Sequence, residues 1–201
     1  MFPLGTVLFP HMLLPLHVFE PRYRAMMADA LADGREFGVV LISRGHEVGG
    51  GDLRTDVGTV ARILQTQDLD DERSFVIAVG TRRVRVERWL PDDPYPRAEV
   101  VDLAEDHDDD RVLASARDLA PRLRRVLALQ AELGRDNVDA TFELASEGEV
   151  ACWQAAVLSP LTAYDAQRVL ATDDCVTRMQ LVEELLTGLE ETLQFQLHAD
   201  D

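Results

Sequence analysis

Leu14-Pro15-Leu16-His17-Val18-Phe19-Glu20-Pro21-Arg22-Tyr23-Arg24 is the stretch that decides the fold. An apolar run holding one proline gives way, at a second proline, to helical spacing. Pro15 cannot donate to a β-ladder, so Leu13 to Phe19 is predicted as an edge strand or a broken extended strand. Pro21 suits the first position of a helix, where a backbone N–H would have no partner anyway. Tyr23, Met26, Met27, Ala30 and Leu31 then recur at helical intervals, until Asp33-Gly34 closes the helix with a left-handed cap.

Working outward, Phe2 to Phe9 is predicted as a first strand, turning at Pro10-His11 into the next one. Phe37 to Ile42 is a continuous apolar run that suits a strand covered on both faces. Arg44 to Asp56 carries Gly45 and Gly49-Gly50-Gly51 and is expected to be a flexible loop. Neither G-x-G-x-x-G nor G-K-S/T follows, so His46 and Glu47 beside the glycines do not make a phosphate loop. Val57 to Gln65 and Phe75 to Val79 are predicted strands, the second buried, with a polar turn at Asp68 to Arg73 and a bend or bulge at Gly80. Arg83-Val84-Arg85-Val86-Glu87 alternates, which predicts a half-exposed strand with its arginines outward. Pro91 to Pro96 is a loop and Arg97 to Leu103 a last strand.

The composition then switches to helix. Asp106 fails as the start of a calcium loop, because Arg111 stands where glycine is required and Arg117 where glutamate is. The acidic run is expected to be a solvated linker at the positive end of a helix from about Asp109 to Leu133, kinked or divided at Pro121. Gly134 to Glu147 is expected to be irregular. Trp153, Ala156 and Val157 belong to a further helix, which ends at Pro160. Thr162, with Asp165 three residues on, caps the next. Asp173 or Asp174 caps the last, whose stripe runs Val176, Met179, Val182, Leu185, Leu186, Leu189 and Leu193.

The formal net charge is −17. Residues 1–103 hold 12 arginines against 16 acidic residues, and residues 104–201 hold 8 against 21. Such a balance opposes a nucleic-acid partner, whose phosphates are met by cations. Every basic residue is arginine, which excludes a Walker-A loop, a Schiff-base lysine and a Ser–Lys dyad within this chain. Cys152 and Cys175 lack metal-ligand spacing and are expected to be buried apolar residues on helices, with no disulfide framework. No metal and no cofactor is expected. Without a basic leader or an apolar run of spanning length, the expected location is the cytoplasm.

Several spaced segments now resemble one family. Pro3-Leu4-Gly5-Thr6-Val7-Leu8-Phe9-Pro10, the quoted stretch, Val57 to Ile63, Val79 to Val86, Pro94 to Val100, and Leu170 to Asp174 with Arg178 and Leu185-Leu186 look like the bacterial Lon protease N-terminal (LON, substrate-binding) domain. The resemblance implies an α+β chain, with a PUA-like β pseudo-barrel over residues 1–104 and an α-helical bundle over 109–201. It implies a domain without the ATPase and protease modules that follow in full-length Lon, hence no catalysis. The implied role is binding polypeptide segments or a partner protein, as an adaptor or holdase-like factor, with weak self-association left open. Met12, Leu13, Phe19 and Tyr23 at the corner are the expected peptide contacts. An RNA-associated PUA-like module and a small hydrolase with a fold-assembled site stay open as alternatives.

Overall fold

Proline sets the N-terminal corner. In the computed structural model, which describes residues 1–44, 53–69, 73–105, 109–135 and 141–199, the edge strand β2 (Leu13–Val18) ends two residues before Glu20, and α1 (Pro21–Ala32) starts with Pro21 in its first turn. Gly34 takes φ 72° past the helix end, and the Arg35 N–H bonds the Ala30 carbonyl at 2.8 Å, closing the last turn. Tyr23, Met26, Met27 and Ala30 face inward, whereas Leu31 at the end of the stripe is exposed.

Two compact units divide the chain, Met1–Ala104 and Glu105–Asp201. The first holds the strands. Besides β2 these are β1 (Phe2–Leu4), β3 (Glu36–Arg44), β4 (Leu53–Asp68), β5 (Ser74–Leu90) and β6 (Arg97–Asp102). They form one mixed sheet in the order β1-β3-β4-β5-β2, in which β1 pairs parallel to β3 and the other pairs are antiparallel. β5 is long enough to hold β2 along its first half and β6 along its second. Phe2 and Leu4 of one sheet edge share a buried cluster with Leu16 and Val18 of the other. The sheet is therefore curled until its two edges face one core, with α1 across it.

The first strand is shorter than its apolar length predicts. Val7, Leu8 and Phe9 are buried without a ladder of their own. They lie over the sheet instead, where the Thr59 hydroxyl donates to the Leu8 carbonyl at 2.6 Å. This lid meets β5 at Gly80 and Arg83. Gly80 stands at a register shift, Val60 pairing with Arg82 and Ala61 with Gly80, where a bend or bulge was expected; it lets Phe9 come close, and it exchanges backbone hydrogen bonds with His11 and Met12. Arg83, opposite Thr59 in the ladder, is only 1% exposed, against the expectation that it faces outward with Arg85, which is exposed. Burial on both faces of the strand overrides the alternation. Thr59→Val is expected to cost about 1–3 kcal/mol in a denaturant titration, because the Leu8 carbonyl would lose its buried donor.

The second unit is helical: α2 (Asp109–Glu132), α3 (Gly148–Leu158), α4 (Ala163–Ala171) and α5 (Cys175–Ala199). α2 runs unbroken through the exposed Pro121, so the expected division there does not occur. Val112, Ala116, Leu119, Leu123, Val126 and Leu127 form its buried stripe. Thr162 caps α4 by accepting from the Asp165 N–H at 3.2 Å, and Asp174 caps α5 by accepting from the Thr177 N–H at 2.8 Å. Met179, Val182, Leu186 and Leu193 of α5 are buried, and α5 contacts α2, α3 and α4. The triple-glycine loop with His46 and Glu47, and the acidic positions 106–108, lie outside the described residues.

Candidate functional site

The corner does not present its four expected contact residues alike. Leu13 is 60% exposed and Phe19 52%, Met12 is half-buried against the core, and Tyr23 is 4% exposed. The Tyr23 ring stacks on Phe2 with centroids 4.2 Å apart and planes 8° from parallel, under the Arg22 guanidinium at 4.5 Å. Arg22 is held by Glu20 at 3.0 Å. Between the two sheet edges, Phe2, Leu4, Pro15, Leu16, Phe19 and Tyr23 line a groove of about 170 Å³. That is below the size of ordinary small-molecule sites and suits one apolar side chain.

Beside the groove lies a surface that sequence reasoning missed. The run Phe75 to Val79 was expected to be buried; only Val76 and Ala78 are. Phe75 is 38% exposed and Ile77 half-exposed, on the sheet side opposite the core. The ladder sets His17 against Phe75, Pro15 against Ile77 and Leu13 against Val79, so these six residues share that outer face. A register shift between Ile63 and Gln65 of β4 adds Leu64, also exposed, to the neighbouring strand. Arg35 secures the shift: its backbone carbonyl accepts from the Ile63 N–H at 2.8 Å and its Nε donates to the Ile63 carbonyl at 3.1 Å. The result is an apolar face bounded by the outer edge of β2, which pairs with no further strand among the described residues. Pro15 in the middle of that edge lacks an N–H, so an added strand would lose a ladder bond there.

A nearly complete match accompanies this geometry: the model of the ATP-dependent protease La (LON) substrate-binding domain fits residues 1–188. The chain belongs to the LON substrate-binding domain family. It is 32% identical over 195 residues to Lon protease from Anaeromyxobacter dehalogenans and equally to Lon protease 2 from Myxococcus xanthus, covering 94% of this chain and 23% of each relative. The chain thus spans about a quarter of those relatives' length, and the match is to their substrate-binding region. A crystal structure of a Lon N-terminal domain protein from Xanthomonas campestris superposes with TM-score 0.65 at 28% identity, covering 92% of this chain and 95% of that one. The N-terminal domain of the Mycobacterium avium complex Lon protease, at 18% identity and TM-score 0.64, shows the same fold. The LON fold is α+β, a curled sheet with helices, as the resemblance implied.

The helical unit of this LON domain holds a larger hollow, about 450 Å³, lined by Leu113, Ala116, Ala120, Arg117, Arg124 and Glu143 among others. Arg124 is committed there, donating to the Phe142 carbonyl at 3.1 Å with its guanidinium over the Phe142 ring. Ser146 lines the same hollow, but none of the described histidines does. Among the described residues no helix is long and apolar enough to cross a membrane.

Proposed function

We propose that this LON domain binds exposed apolar segments of other polypeptides in the cytoplasm, in an adaptor or holdase-like role within protein quality control, with no covalent chemistry on the bound polypeptide. The observation that carries the reading is the uncovered apolar face formed by Leu13, Pro15, Leu64, Phe75 and Ile77 beside the Phe19 groove. Monomeric soluble proteins rarely leave contiguous apolar area of this kind open unless something docks there. Each side chain fully covered contributes about 1.5–3 kcal/mol. After the cost of association, a few such contacts correspond to binding on the order of micromolar. Side chains, not strand addition, do the recognising, since Pro15 interrupts the edge.

The surface arginines of the sheet support a protein partner over RNA. Arg62 and Arg82 both bond Glu36 at 2.8 Å, Arg82 also reaches Asp102 at 3.1 Å, and Arg88 pairs with Glu99. Guanidiniums already matched to carboxylates offer little to a phosphate backbone.

Titration of a labelled, permanently unfolded model polypeptide, followed by fluorescence anisotropy, tests the reading. Binding at micromolar concentration is expected, with no binding of the same polypeptide in its folded form. No response at high micromolar concentration would contradict it. Phe75→Asp is expected to weaken the interaction about tenfold or more, the equivalent of about 1.4 kcal/mol, with thermal unfolding unchanged.

A further inference from the structure

The helical unit contains a buried polar cluster that the binding surface does not use. Arg178 on α5 is fully buried, and its guanidinium lies 3.8 Å from the Trp153 ring centroid. Its Nη2 donates to the Thr172 carbonyl at 2.8 Å and to Glu105 Oε2 at 3.2 Å. Its Nη1 points at two sulfurs, Cys175 Sγ at 3.3 Å and Cys152 Sγ at 3.7 Å. Cys152 comes from α3 and Cys175 opens α5, and both thiols are free.

A buried cysteine is ordinarily an inert small apolar residue. These two differ in sharing one guanidinium nitrogen, in Cys152 Sγ donating to the Cys175 backbone carbonyl at 3.6 Å, and in one standing at a helix N-terminus. We propose that Cys152 and Cys175 form an oxidation site, a dithiol that a hydroperoxide converts to a disulfide linking α3 to α5. The neighbouring Cys152 thiol, followed by the Arg178 charge, outweighs burial and lowers the Cys175 thiol below its ordinary value. Cys175 lies nearer the Arg178 Nη1, 3.3 Å against 3.7 Å for Cys152, and opens α5, so it is the nucleophile and Cys152 the resolving thiol; its neighbour and burial push the Cys152 thiol up.

The chemistry balances. The Cys175 thiolate attacks one peroxide oxygen, the O–O bond breaks, and hydroxide leaves, giving a sulfenic acid. The Cys152 sulfur then attacks the sulfenic sulfur; the S–S bond forms, the S–O bond breaks, and water leaves with the Cys152 proton. The hydroxide takes up the proton that Cys175 gave up on ionising. Two thiols and one peroxide thus yield one disulfide and two waters, and a dithiol reductant reverses the change. Access is through the first turn of α5, whose hold includes the Asp174 cap on Thr177 at 2.8 Å. Opening of that turn frees Cys175 without unfolding the unit.

The test treats the full chain, folded, with hydrogen peroxide, then denatures it in a maleimide and records the intact mass. Both cysteines are expected to escape alkylation together, with the mass lower by two hydrogen atoms and restored by dithiothreitol. In Cys152→Ala the reaction should stop at a Cys175 sulfenic acid that dimedone traps. Asp174→Ala should speed disulfide formation about fivefold, the factor corresponding to about 1 kcal/mol of capping. Two fully alkylated cysteines after peroxide, or a wild-type product oxidised at Cys175 alone, would overturn the proposal. So would an unchanged rate in Asp174→Ala.

Discussion

Arg178→Ala is expected to destabilise the helical unit by about 3–5 kcal/mol, the usual cost of removing one partner from a buried charged pair. Its guanidinium carries more than the contact with Glu105. Burial alone would lower the arginine's pKa, yet Cys152, Glu105 and Cys175 outweigh that and hold it above its ordinary value. Alanine would leave the largely buried Glu105 carboxylate without this cation, remove a donor from the Thr172 carbonyl, and open space against the Trp153 ring. The loss should be read as a shift of the urea midpoint by far-UV circular dichroism, with the denaturant slope unchanged. Arg178→Met with Glu105→Gln should recover much of it, because replacing both charges leaves neither uncompensated. A single variant as stable as the parent would mean that the cluster contributes nothing to the fold.

Gly80→Ala is the second large effect, expected at about 3 kcal/mol, the upper part of the usual range for overpacking. A Cβ at this position would lie 2.2 Å from the Phe9 carbonyl oxygen and 3.0 Å from its carbon, and backbone cannot swing aside as a side chain can. The clash acts on function as well as on stability. Gly80 bonds the Met12 carbonyl at 2.9 Å and the His11 N–H at 2.8 Å, which fixes where the edge strand begins. Displacing that turn moves Leu13 and the groove beside it. Weaker polypeptide binding should therefore accompany the lower thermal midpoint. A variant that keeps both would show that the turn at 9–12 yields freely.

The features legible in the sequence are the ones fixed by local covalent geometry. Pro21 begins α1 because a residue lacking an N–H belongs at that position, and Thr162 and Asp174 cap because their short side chains reach the first free backbone donors. Phe75 to Val79 was misjudged for a physical reason. When both sides of a strand are apolar, alternation leaves no mark, and only the assembled sheet shows which side lacks a cover. Arg83 was misjudged in the opposite direction, since charge predicts exposure until a lid such as Val7 to Phe9 buries the strand. The Arg178 cluster was invisible because Glu105 and Arg178 stand 73 positions apart. The expected contacts at the corner followed from apolar character alone, which does not separate the exposed Leu13 and Phe19 from the buried Tyr23.

Site-directed photo-crosslinking tests the binding surface most directly. A photoreactive phenylalanine analogue is placed at Phe75 on the uncovered sheet face or at Phe195 on α5, which is exposed but belongs to the other unit. Each protein is then illuminated with the unfolded polypeptide. Adducts from position 75 that a competing unlabelled chain removes, with few from position 195, are the expected result. Equal labelling from both positions, or labelling from 195 alone, would contradict it.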